Sequence, residues 1–310
     1  MTAQPSFDVP AAVRSAEERA RPYLLTTPAI PSIGLTPAIG SPVVLKCENL
    51  QHTGSFKARG AVSKVLSLSP EELERGVITA STGNHGAAVA YAGSIVGVAP
   101  VVVVPDNANP SKLAAIDRLG GRIEVQGSDS VESELGARRA ADERGMTFVS
   151  PYNDPAIIGG QGTLGLELLD QVDDLAAVFV AVGGGGLSSG VAGIIKSVSP
   201  STRVIGCSPA NSAVMYHSLK AGQILDLPSD PTLSDGTAGG VEPGAITFDI
   251  LDDLLDDFVV VDEDAIREAF LELIEVEHLL VEGSAAMAYA AARANAPATE
   301  GTTAVILCGG

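Results

Sequence analysis

Cysteine is scarce: Cys47, Cys207 and Cys308 are the only three, too few and too scattered for a disulfide framework or a zinc site. A reducing compartment is the natural expectation. Basic residues are also few. The chain sets 19 Lys and Arg against 38 Asp and Glu, a net charge of −19, with no block of Lys or Arg anywhere. This balance argues against a phosphate-backbone partner and against docking on an acidic membrane surface. The amino terminus lacks the unbroken apolar core of a secretion signal and reads instead as a helix capped by Asp8 with Pro10 early in it. We expect a soluble cytoplasmic protein with no nucleic-acid and no membrane partner. Aromatic residues make up only 4% of the chain, yet 45% of it is hydrophobic, enough to build one globular unit of two lobes. Its 34 glycines and 19 prolines follow no short period, which excludes a solenoid.

Short apolar runs alternate with helical segments, the pattern of βαβ units and a mainly parallel sheet. Residues 42–49 (PVVLKCEN), 76–81 (GVITAS), 100–105 (PVVVVP) and 122–127 read as strands, with helices over 84–97 and 112–121. The pattern restarts near 152: helix 156–172, strand 176–182, helix 187–198, strand 203–209, and a closing strand in 302–310. The expected fold class is α/β, two doubly wound open-sheet lobes with a ligand in the cleft between them. Residues 1–67 and 152–310 would form the larger lobe and 68–151 the smaller.

Four consecutive glycines, Gly183, Gly184, Gly185 and Gly186, lie between a buried strand and a helix start. Such a loop can turn several N–H groups toward one point, and the helix N-terminus adds partial positive charge, so it reads as a phosphate cradle. The segment GQGTLG (160–165) satisfies the dinucleotide fingerprint in letters only: it follows a helical segment, not a strand. The glycine loop also lacks the Lys-Ser/Thr ending of a nucleoside-triphosphate loop, which leaves the phosphate of a smaller cofactor. In ITASTGNHGAAVAYA (78–92) a buried strand breaks into Ser81, Thr82, Gly83, Asn84 and His85 before a helix, an arrangement suited to a carboxylate. Its bland alternative is an ordinary capped turn, and a lone histidine at a helix start is more often packed than catalytic. Lys57 follows a Gly-Ser-Phe turn and stands first on a helix, where the dipole disfavours its charge. A lowered pKa would make it a nucleophile for an imine-forming cofactor.

The motifs ENLQHTGSFKARGA, ASTGNHGAAVAYA, DPAIIGGQGTLGLEL, VGGGGLSSG and ILCGG follow one another in this chain. Together they resemble the pyridoxal-phosphate-dependent serine/threonine dehydratase and serine racemase family, of the tryptophan-synthase β-like class (fold type II), from about residue 20 to the end. ENLQ.TGSFK, ASTGNHG and VEGSAA look closest to its hydroxyectoine-utilisation dehydratases. The resemblance implies pyridoxal 5'-phosphate as cofactor, Lys57 as its Schiff-base lysine, Phe56 against the pyridine ring and Asn84 on the ring hydroxyl. It also implies that Gly183 to Gly186 hold the phosphate, that Ser81 to His85 take the substrate carboxylate, and that Cys308 faces the ring nitrogen. A homodimer or higher homo-oligomer is expected on the same ground.

The reaction so implied is β-elimination from a hydroxy amino acid such as L-threonine or L-serine, giving an α-keto acid and ammonia. Lys57 would take the Cα proton. A neutral thiol at Cys308, unlike an aspartate, does not hold a proton on the ring, which suits elimination. Alternatives are a racemase-like reaction with Thr82 as a second proton-handling group, a hydroxyaspartate or hydroxyectoine-pathway substrate, and a non-catalytic member of the fold. No metal is expected: Ser208 and Val214 stand where racemase-like relatives place acids. With the chain ending at Gly310, no regulatory C-terminal domain is expected.

Overall fold

A computed structural model describes residues 7–108, 110–128, 130–297 and 300–310. The first six residues of the expected larger lobe, and Asn109 in the connection before the helix expected over 112–121, lie outside the described residues. Among the described residues the strands are β1 (Ala29–Pro31), β2 (Val43–Cys47), β3 (Val77–Ala80), β4 (Val101–Val104), β5 (Arg122–Val125), β6 (Thr147–Phe148), β7 (Leu175–Ala181), β8 (Arg203–Pro209), β9 (Asp257–Val261) and β10 (Thr302–Leu307). They form a six-stranded sheet in the order β1-β2-β10-β7-β8-β9 and a four-stranded sheet in the order β5-β4-β3-β6. Every pairing is parallel except the short edge strand β1 against β2.

Parallel sheets are covered on both faces, so their strands read as continuous apolar runs. β4 is four buried valines and β10 is buried throughout. β10 sits between β2 and β7, with Val305 opposite Leu45 on one side and Phe179 on the other. Because these three strands run the same way, the segments that leave their carboxyl ends emerge at one edge of the sheet. Strand β2, from residues 43–47, and β10, from residues 302–307, meet in this sheet.

Helices cover the sheets where their periodicity requires. Helix Val9–Ala20 is capped by Asp8, whose side chain accepts from Ala11 N at 2.9 Å, and buries Val9, Val13, Ala16 and Ala20. Its neighbour, Pro155–Gln171, contains the GQGTLG segment inside the helix. A side chain on Gly190 of the following helix, Gly186–Val198, would lie 2.6 Å from Gly162 N. The glycines of that segment serve close helix packing, which is why the dinucleotide fingerprint fails here. The helix expected over 112–121 begins earlier, at Pro110, and ends at Arg118.

Candidate active site

Three strand ends build the cleft. After β7 comes the glycine loop, after β10 comes Cys308, and after β2 the chain turns through Gly54, Ser55 and Phe56 into helix Lys57–Val65. The turn is tied to the end of β10: Phe56 N donates to Cys308 O at 3.0 Å, Gly310 N donates to Gly54 O at 3.0 Å, and Ser55 bridges Gly309. Lys57 and Cys308 are thereby held side by side although they lie near opposite ends of the chain. They open on a cavity of about 860 Å3 that is also lined by Phe56, Gly183 to Gly186 and Glu282.

Lys57 is the first residue of its helix, as expected, and its Nζ donates to Pro151 O at 2.9 Å. Its pKa is lowered to about 8, chiefly by burial, against the opposing pull of Glu282 and Cys308. Burial, more than the helix position, is therefore what frees the amine. The Phe56 ring centre is 5.2 Å from Nζ, so that side chain forms a wall beside the lysine.

The glycine loop is shaped by its neighbours. A Cβ on Gly183 would meet the Thr237 backbone at 2.9 Å, and one on Gly184 the Tyr152 ring at 2.5 Å. Gly185 has φ +90°, a conformation that side chains rarely adopt, and caps helix Gly186–Val198. Thr247 Oγ1 holds the loop from behind by donating to Gly184 O at 2.7 Å. The helix's first N–H groups have no intrahelical acceptor and face the cleft end of β7. A dehydrated lysine, a loop that admits no side chain and an unsatisfied helix start together fit a phosphorylated imine-forming cofactor.

The segment 81–85 is less free than its sequence implied. Ser81 N is used by Val103 O at 3.2 Å, and Gly83 N by Ser81 Oγ at 3.1 Å. Asn84 and His85 begin helix Asn84–Val96, so their N–H groups remain without intrahelical acceptors. Thr82 is half-buried. The buried His85 ring bonds Val149 O through Nε2 at 3.1 Å, and burial beside Lys57 lowers its pKa to about 3. A neutral ring that donates from Nε2 has only an acceptor at Nδ1 and cannot bind a carboxylate. The ring packs against β6's end; only the backbone of His85 is available to an anion.

Glu282 is the residue that sequence reasoning missed. It precedes helix Gly283–Asn295, accepts from Asn84 Nδ2 at 2.8 Å through Oε2 and meets Cys308 Sγ at 3.1 Å through Oε1. Burial raises its pKa, with Asp235 acting the same way; the Cys308 thiol, Lys57 and Asn84 oppose. The Cys308 thiol is itself held well above its ordinary pKa by burial and by Glu282, so it is neutral. The signal was a lone acid in the apolar run LLVEGSAAMAYA (279–290).

A parallel-sheet cleft that brings a half-buried lysine of lowered pKa beside a glycine loop and a helix start fits the class of enzymes built around a phosphorylated, imine-forming cofactor. The family model described as "Pyridoxal-phosphate dependent enzyme" matches residues 21–309, and the chain belongs to that family. An L-threonine ammonia-lyase of Geobacter sulfurreducens is 40% identical over 300 residues, 96% of this chain and 74% of that protein. A serine racemase of Oryza sativa subsp. indica is 38% identical over 90% of this chain and 82% of that protein. Among solved structures, maize serine racemase superposes with a TM-score of 0.93 at 35% identity, covering 99% of this chain and 94% of that one. The processed form of threonine deaminase isoform 2 from Solanum lycopersicum gives 0.92 at 32% identity, covering 99% and 91%. The cofactor of this family is pyridoxal 5'-phosphate, and the residues described fit it. Among the described residues no helix is long and apolar enough to cross a membrane.

Proposed function

We propose that this enzyme dehydrates and deaminates a β-hydroxy amino acid, L-threonine or L-serine, to an α-keto acid and ammonia. The observation that carries the reading is the cleft in which dehydrated Lys57, the glycine loop and a neutral Cys308 meet. The kinship with proteins named L-threonine ammonia-lyase supports the choice of substrate. Lys57 anchors the cofactor and, once displaced by the amino acid, holds and moves the Cα proton; at about pH 8 half of its amine is neutral. When bound, pyridoxal 5'-phosphate supplies the sink for the electrons left at Cα. Gly183 to Gly186 and the start of the following helix bind the phosphate. Asn84 binds the ring hydroxyl, Phe56 packs against the ring, and Cys308 meets the ring nitrogen without placing a charge there. The N–H groups of Asn84 and His85, with Ser81, Thr82 and Gly83 shaping the turn, bind the substrate carboxylate. The β-hydroxyl then leaves as water.

The division into a larger lobe, 1–67 with 152–310, and a smaller one, 68–151, belongs to the same proposal; each sheet draws its strands from one of them. Work in the cytoplasm is supported by the three unpaired cysteines. A homodimer or higher homo-oligomer is supported by exposed Ile33, Leu50 and Leu280. Racemisation is the second reading: kinship with serine racemases favours it, and Thr82 carries the hydroxyl it would use, although the threonine methyl crowds that group. Incubation with a panel of β-hydroxy amino acids should release keto acid fastest from L-threonine or L-serine. Inverted amino acid without keto acid would reverse the order of the two readings, and neither product would defeat both.

A further inference from the structure

The two oxygens of Glu282 are used unequally. Oε2 accepts from the Asn84 amide at 2.8 Å, and Oε1 meets the Cys308 sulfur at 3.1 Å. An amide nitrogen only donates, so Oε2 is an acceptor whatever the charge of the carboxyl. A proton on Glu282 finds an acceptor only from Oε1, because the thiol it faces can reverse its role and the amide nitrogen cannot. With that proton present, Oε1 donates to Sγ and the thiol hydrogen is free to turn into the cleft. Without it, the thiol donates to Oε1 and sulfur offers the cleft only lone pairs.

We propose that Glu282 is a positioning residue that decides, by holding or releasing the Oε1 proton, whether Cys308 presents a hydrogen-bond donor or an acceptor to the cofactor's ring nitrogen. The inference rests on the reading above that Cys308 meets that nitrogen. Along the line from ring nitrogen through Sγ to Oε1, the same two protons have two arrangements. In one, nitrogen carries a hydrogen toward sulfur and the thiol donates to an ionised carboxylate. In the other, a bare nitrogen accepts from the thiol and the neutral carboxyl donates to sulfur. Passage between them moves one proton across each link, nitrogen to sulfur and sulfur to Oε1, so atoms and total charge balance.

The surroundings favour the second arrangement. Burial raises Glu282 and Asp235, on the turn Asp235–Thr237, acts with it; Lys57 from its helix, Cys308 from the end of β10 and Asn84 from helix Asn84–Val96 act against. The start of Glu282's own helix also favours the ionised form, and Ser284 on that helix bonds to Ser234. Room for the carboxyl is left by Gly309, where a side chain would come within 2.9 Å of Glu282 Cδ and 3.0 Å of Asn84 Nδ2. Asn84 and Cys308, assigned to the ring hydroxyl and the ring nitrogen, thus share one acid.

The test uses holoenzyme carrying cofactor labelled with 15N at the ring nitrogen, its chemical shift followed across the whole pH range in which the holoenzyme stays folded. In wild type the signal should move as the Oε1 proton is lost. In Glu282→Gln the amide oxygen is held by Asn84, the amide nitrogen still donates to sulfur, and the signal should stay at the position of a bare, accepting nitrogen across the range. Cys308→Ala should remove the pH response by cutting the line. A wild-type titration in Glu282→Gln, with Cys308→Ala still altering the shift, overturns the relay and leaves Cys308 at the nitrogen. A signal indifferent to Cys308→Ala at every pH overturns that placement, and the relay with it.

Discussion

Two of the three basic residues of helix Lys57–Val65, Lys57 and Arg59, stand two positions apart in opposite environments. Arg59 is fully buried and bonds Glu48 from Nε at 2.7 Å and from Nη2 at 2.8 Å, while Nη1 reaches Glu167 at 2.7 Å and Thr163 at 3.1 Å. Lys46, also fully buried on β2, donates to Glu167, Gln171 and Thr27 O. Burial opposes every charge in this cluster, yet the bonds from Arg59 and Lys46 hold Glu167 down to about 2, and Arg59 is raised further above its ordinary value. Lys57 has the opposite lot: one neutral carbonyl accepts from it, and the Glu282 carboxyl is engaged by Asn84 and Cys308. Saturation with carboxylates makes a permanent cation that fixes the helix; dehydration without a bonded counter-charge makes a nucleophile. The first environment orients the second, because Arg59 locks the helix whose first residue is Lys57.

Removing the poorly partnered amine should have the largest effect. Lys57→Ala should lower keto-acid release about a thousandfold or more, roughly 4 kcal/mol of barrier, since the proposed function gives that residue both anchoring and proton transfer. Borohydride should fix the cofactor on Lys57 in wild type and nowhere in the variant. Capture of free cofactor by the wild-type apoenzyme should accelerate as pH rises through about 8, because the neutral amine is the reactive form. A pH-independent capture rate would show that burial does not set this amine's reactivity.

Breaking the saturated environment should act on stability instead. Arg59→Met leaves Glu48 and Glu167 buried with too few partners, at a cost of about 3–5 kcal/mol in urea unfolding. The remaining folded protein should still bind cofactor. If stability is unchanged, the cluster is not what fixes the helix.

A smaller effect is expected at the glycine loop proposed to hold the phosphate. Both Gly185→Ala and Gly185→Asp strain the loop, since a Cβ at φ +90° would lie 2.8 Å from Leu251 Cδ1 and 2.9 Å from Thr247 Cβ. The Asp variant should bind cofactor more weakly than the Ala variant, on the order of tenfold, through like-charge repulsion that salt reduces. Equal affinity in the two would place the phosphate elsewhere.

Smallest is Cys308→Ser, in which one neutral group replaces another. Dehydration should persist within about tenfold, ~1.4 kcal/mol of barrier. Abolition of keto-acid release, with cofactor still bound, would give the sulfur a role other than that of a neutral ring partner.

The positions of Lys57 at a helix start and of the glycine loop and Cys308 after buried strands were legible because each depends on local chain chemistry. His85 was read as part of an anion loop, but its ring takes an acceptor, Val149 O, 64 residues away, just after β6. The buried cluster went unread for the same reason, since Arg59 meets Glu167 across 108 residues. By itself the sequence determined the α/β class, seven of the ten described strands and the cofactor family, whereas the strand order and the edge strands β1, β6 and β9 came only with the fold. Only the tertiary structure decided the charge states. Glu282 reaches Asn84 across 198 residues, and the lowered pKa of Lys57 comes from protein packed around it by several elements. Backbone conformation answers to neighbours in the chain, whereas dehydration and pairing of a charge answer to whatever the fold brings near it.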